Sequence, residues 1–88
     1  MTLVNILIWD EWNREHLAKH HISPDEIEEV CQGKHKSVQS YRHRLLLIGQ
    51  TKSGRKLSIV LSPEDNSLQP YGKGIYYVIT AFETKIKL

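Results

Sequence analysis

His16 and His20 stand one helical turn apart with Lys19 beside the second, and their types and spacing suit proton-transfer chemistry. An imidazole titrates near pH 6.5, so it can take or give a proton at neutral pH. Cleaving RNA without a metal needs a base for the 2′-hydroxyl proton, cations for the phosphorane charge and an acid for the leaving oxygen. His20 or His16 is the expected acid or base. Lys19 and Arg55 are the expected phosphate contacts, because Lys offers a compact charge and Arg a planar fork. Glu83 is a further acid–base candidate. Each has a plainer reading: His16, near Trp12, as a hydrogen-bonded core histidine, Lys19 and Arg55 as solvated charge, and Glu83 as the partner of a lysine.

Two other chemistries find little support. The His16/His20 spacing would put two imidazoles on one helix face, but no cysteine or third ligand completes a zinc set, and His20-His21 with Asp25 is weaker still. No metal and no cofactor are expected. No Gly-rich loop precedes a helix, so nucleotide hydrolysis has no motif to rest on. Cys31 is the only cysteine, which excludes an internal disulfide, and its apolar helix face suggests a buried structural thiol.

The formal charge of +2 hides a division. Residues 10–29 carry seven acids and two bases, whereas residues 30–63 carry seven bases and no acid. Arg42, Arg44 and Lys56 could extend a groove along an RNA backbone, with His35 and His43 assisting when protonated, and binding of that kind weakens steeply with salt. Tyr41, Tyr71 and Tyr76 could stack on unpaired bases, although strand tyrosines also serve as cross-strand packing. The bland alternative for the basic stretch is a solubilising strand face.

These residues must be positioned by a small scaffold. Hydrophobic residues make up 40% and charged residues 25%, and no apolar run approaches the roughly 20 residues that span a membrane. The opening apolar stretch is short for a signal peptide, and Asp10 and Glu11 follow where a cleavage site would be needed. A soluble, cytoplasmic protein without membrane association is expected, with residues 1–88 as one domain. A core this small commonly gains stability from a partner.

Residues 3–9 suggest a strand ending at Asp10, an N-cap residue. Residues 11–20 suggest a helix whose inward stripe is Trp12, His16, Leu17 and His20. Ser23, Pro24 and Glu26 form a capping box for a helix over 24–32, with Ile22 and Ile27 as a staple and Gly33 as a left-handed cap. Strands follow at 37–41, 44–50 and 55–61, with a hairpin turn at Lys52-Ser53-Gly54. Residues 62–74 form a loop, long enough to be mobile, before a last strand at 75–81. The fold class is α+β: a short N-terminal strand, two helices, then an antiparallel sheet of about four strands.

The ordered set Trp9-Asp10, Asn13, His16, Lys19-His20, Ile22-Ser23, then Leu47-Ile48-Gly49-Gln50-Thr51 with Gly54-Arg55, and finally Tyr76-Tyr77-Val78-Ile79-Thr80-Ala81 resembles the BrnT-type toxins of bacterial type II toxin–antitoxin systems. The resemblance covers most of the chain. It implies a RelE-like ribonuclease fold, an RNA endonuclease that inhibits translation, and a cognate antitoxin that masks the active surface, in a homodimer or a hetero-oligomer with that antitoxin. Phe82 stands where the family typically carries an Arg that leads into an Arg-rich end, and the chain given stops at Leu88. The alternative reading is therefore a noncatalytic, toxin-derived binding module.

Overall fold

A computed structural model describes residues 2–84. The order is β1 (Ile6–Ile8), α1 (Glu11–Ala18), α2 (Pro24–Gln32), β2 (His35–Gln39), a 3₁₀ turn (Tyr41–His43), β3 (Leu45–Gln50), β4 (Lys56–Ser62) and β5 (Ile75–Glu83). The α+β class expected from the sequence is the one observed. Five strands form one sheet in the order β1-β5-β4-β3-β2. β2 to β5 make an antiparallel meander, and β1 pairs parallel with β5 at the edge.

Strand register separates the two faces. Gln39–Leu45–Leu61–Val78 and Ser37–Leu47–Ile59–Ala81 are cross-strand rows on one face, where Leu47, Ile59, Leu61, Val78 and Ala81 are fully buried. Leu17, Ile22, Ile27, Val30 and Cys31 complete this core from the helix side. Because side chains alternate along a strand, the rows Lys36–Ile48–Ser58–Phe82 and Val38–Leu46–Val60–Thr80 lie on the opposite face. Val38 and Phe82 are exposed there.

Local chemistry accounts for the helix boundaries. Asp10 and Asn13 form a reciprocal capping box at α1, and Ser23 and Glu26 form one at α2; each satisfies backbone donors that helix starts leave open. Ile22 and Ile27, the expected staple, are both buried. Gly33 departs from expectation, with an extended backbone (φ −95°) rather than a left-handed one. A Cβ at Gly49 would lie 2.8 Å from Val30 Cγ1, so glycine lets α2 approach β3.

Several boundaries move. α1 ends at Ala18 rather than near His20. The second strand begins at His35 and stops at Gln39, because Arg42 (φ 58°) and His43 (φ 63°) turn left-handed and break the extended run. The last strand extends to Glu83 through a bulge opposite Val60/Leu61. Residues 62–74 fold back on themselves: Tyr71 donates its backbone N–H to Pro63, and Asp65 Oδ1 accepts from the backbone N–H groups of Ser67 and Gln69. The chain end after Thr84, on which the comparison with an Arg-rich terminus turns, lies outside the described residues.

Candidate functional site

α1 runs beside β5 and is fixed by a residue that sequence reasoning treated only as part of a motif. Asn13 is fully buried, and its Nδ2 donates to the carbonyls of Ile8 (3.0 Å) and Val78 (3.1 Å). With Asn13 and Leu17 inward, the expected inward stripe is corrected: Trp12 and His20 are exposed and His16 is half-buried. Helical periodicity placed the three on one line, but the buried amide rotates that line outward. Trp12 and His16 stack with centroids 5.1 Å apart, and His16 and His20 meet edge-on at 5.3 Å. His16 Nε2 lies 2.9 Å from Thr80 Oγ1, which ties the histidine line to the uncovered side of the sheet.

Lys19 and His20 follow α1, both exposed, and Ile22 closes the turn by donating to the Leu17 carbonyl. Arg55, the residue before β4, anchors this corner. Its Nη1 donates to the His21 carbonyl at 3.0 Å and to Glu26 at 2.6 Å, and its Nη2 to Glu83 at 3.3 Å. Burial by itself would raise the Glu26 carboxyl, but hydrogen bonds from the Ser23 backbone and Arg55 outweigh it and hold Glu26 below its ordinary 4.5. The Glu26 hydrogen bond leads the causes that raise Arg55. The structure thus gathers Lys19, His20, Arg55 and Glu83 near one corner, with the guanidinium already engaged by two carboxylates. These are the ion pairs seen among the described residues.

The expected RNA-binding residues divide. Lys56 pairs with Gln50 at the Arg55 end of the uncovered face. Arg42, Arg44 and Tyr41 lie at the far end of the sheet, about 20 Å away along β4 at ~3.3 Å per residue. Tyr41 is exposed, with the Arg42 guanidinium 5.4 Å from its ring centroid. Tyr76 packs against the core, which favours its packing reading over stacking on a base. His35 also leaves the expected basic surface. It is buried, with Nδ1 2.9 Å from the Gly33 carbonyl and Nε2 3.2 Å from the Thr2 backbone nitrogen. Cys31 is a buried thiol pushed up to about 12 by burial and the Glu28 charge.

A cleft of about 730 Å³ opens at the Arg42/Arg44 end, lined by Asp10, Trp12, Glu64, Asp65, Tyr71 and Tyr77, among others. The Tyr77 hydroxyl donates to Asp10, 2.9 Å from Oδ2 and 3.1 Å from Oδ1. Burial and that carboxylate push the Tyr77 phenol up to about 12. Arg42 and Leu68, both left-handed, are in the wall, and such backbone costs of order 1 kcal/mol or more for a non-glycine residue. Sequence reasoning named Arg42, Arg44 and Tyr71 as RNA contacts and residues 62–74 as a loop, and the structure brings these into one lining. What sequence reasoning missed is the acidic part of that lining, Asp10, Glu64 and Asp65, whose available signal was the acid content of residues 62–74.

Among the described residues no cluster of three His, Cys, Asp or Glu side chains is placed to hold a metal ion, and no helix is long and apolar enough to cross a membrane. No protein-family model, curated protein or solved structure matches the chain.

Proposed function

We propose that the protein is a cytoplasmic toxin-type endoribonuclease that cuts RNA without a metal and is held in check by a cognate antitoxin. The observation that carries this reading is the pair of imidazoles, His16 and His20, 5.3 Å apart at the edge of a sheet face that no helix covers. Two such groups can divide the work of base and acid. One takes the 2′-hydroxyl proton as that oxygen attacks the adjacent phosphorus; the P–O5′ bond breaks, and the other gives a proton to the leaving 5′-oxygen. The products are a 2′,3′-cyclic phosphate and a free 5′-hydroxyl. Lys19 supplies the nearby mobile cation, and the uncovered face leads the strand toward Lys56 and on to Arg44 and Arg42. Arg55, bound to Glu26, Glu83 and the His21 carbonyl, acts as a positioning residue that holds the end of α1. The uncovered face, with Val38 and Phe82 exposed, is also the surface an antitoxin would mask.

The test is single-stranded RNA incubated with the purified chain in excess chelator, beside Lys19→Ala, His16→Ala and His20→Ala. Cleavage by the parent that is lost in either histidine variant supports the reading. Binding without cleavage favours the second reading, a noncatalytic binding module, which Phe82 at the position of the family's Arg motivates.

A further inference from the structure

The cleft at the far end of the sheet has an arrangement of charge that the fold does not use. Arg42 and Arg44 share its wall with Glu64 and Asp65, yet the ion pairs among the described residues all belong to Arg55. The acids themselves differ. Asp10 is engaged by Tyr77 and by the Asn13 backbone N–H, and Asp65 Oδ1 accepts two backbone N–H groups. The Glu64 carboxylate has no hydrogen-bond partner among the described residues; only its backbone is held, by Ser62. Trp12, Tyr71 and Tyr77 add aromatic surface to the same lining.

A ligand that satisfies such a lining carries an anion for the guanidiniums, a flat ring for the aromatic side chains and neighbouring N–H donors for the free carboxylate. A carboxylate only accepts hydrogen bonds, and two adjacent donors match its two oxygens. Among the RNA bases, guanine presents that pair, N1–H and N2–H, on its Watson–Crick edge, and unpaired bases are read on that edge while stacked on aromatic side chains. We infer that the cleft is a subsite for one unpaired guanine nucleotide: Glu64 receives the N1–H and N2–H donors, the aromatic wall takes the ring, and Arg42 and Arg44 take its phosphate. The inference rests on the RNA reading for its biological ligand and adds a base preference to it.

The test titrates the four nucleoside 5′-monophosphates into the full chain, following tryptophan fluorescence, which Trp12 in the wall should report. The guanine nucleotide is expected to bind at least about tenfold tighter than the other three, the usual scale of a charge-assisted contact. Glu64→Gln, nearly isosteric, should remove that preference, and Arg44→Ala should weaken all four nucleotides alike, with Arg44→Lys as a milder version should the first disturb the fold. Equal affinities in the parent, a preference unchanged in Glu64→Gln, or no nucleotide binding would overturn the subsite. Cleavage of single-stranded RNA is measured on the same samples. RNA cut without nucleotide preference sinks the subsite alone, whereas guanine selectivity in a chain that neither binds nor cuts RNA leaves the subsite standing and sinks the nuclease.

Discussion

Arg55 and Glu26, 29 residues apart in sequence, meet at 2.6 Å and join the entry to β4 to the first turn of α2. Both side chains are about three-quarters buried, at 27% and 20% exposure, and the same guanidinium holds the His21 carbonyl and Glu83. The contact fixes the corner from which Lys19 and His20 project. Arg55→Ala is therefore expected to cost about 1–2 kcal/mol, the range of charged hydrogen bonds discounted for partial exposure. In a domain of this size that lowers Tm by roughly 4–16 °C, readable by circular dichroism. An unchanged Tm would return Arg55 to the role of a mobile phosphate ligand.

The same pair sets an acid limit. Glu26 is held below its ordinary 4.5 in the folded protein, so its contribution is present above that value and is lost as pH falls through the lower folded value. Thermal melts between about pH 6 and 3 should show a stability loss that is smaller in Glu26→Gln. Parallel curves for the two proteins would contradict the assignment.

Tyr77 gives a sign opposite to that of Glu26. Its phenol is pushed up to about 12 by burial and by Asp10, so its contribution is present below the usual tyrosine value near 10 and disappears as pH rises through about 12. An ultraviolet titration of phenolate absorbance should contain a late step that Tyr77→Phe removes. If the late step survives in Tyr77→Phe, it belongs to another phenol and Tyr77 is not the delayed group.

His20 is exposed, so His20→Ala should leave the stability within about 0.5 kcal/mol of the parent's. The expected loss is in catalysis, about 10²- to 10⁴-fold for removing a general acid or base. This variant and Arg55→Ala should thus separate, one losing rate without stability and the other losing stability first. Equal cleavage rates for parent and His20→Ala would remove His20 from the site.

Gly49→Ala tests the helix–sheet contact. Its Cβ would stand 2.8 Å from Val30 Cγ1 and 3.2 Å from His35 Cβ, an overlap within a filled core that costs roughly 1–3 kcal/mol. A lower urea midpoint with unchanged slope is the expected result. No shift in the midpoint would show that α2 yields at this point.

The sequence by itself determined what local chemistry controls. Asp10, Ser23, Pro24 and Glu26 start the two helices through side-chain bonds to backbone a few residues away, and Lys52-Ser53-Gly54 turns the β3–β4 hairpin with Gly54 at φ 94°. Alternation and apolar runs in residues 44–61 were enough to place β3 and β4. What lies far apart in sequence was decided by tertiary structure. Period 3.6 put Trp12, His16 and His20 on one line but could not orient it, because orientation depends on Asn13 reaching the carbonyls of Ile8 and Val78. Charge counting put Arg55 among the cations, but its freedom depended on carboxylates 29 and 28 residues away. His35, counted as surface charge, was buried by hydrogen bonds to the Gly33 carbonyl and to Thr2. The cleft joins Asp10, Arg44, Glu64 and Tyr77 from separate segments, and only the packing of the sheet brings such residues together, since no periodicity links them.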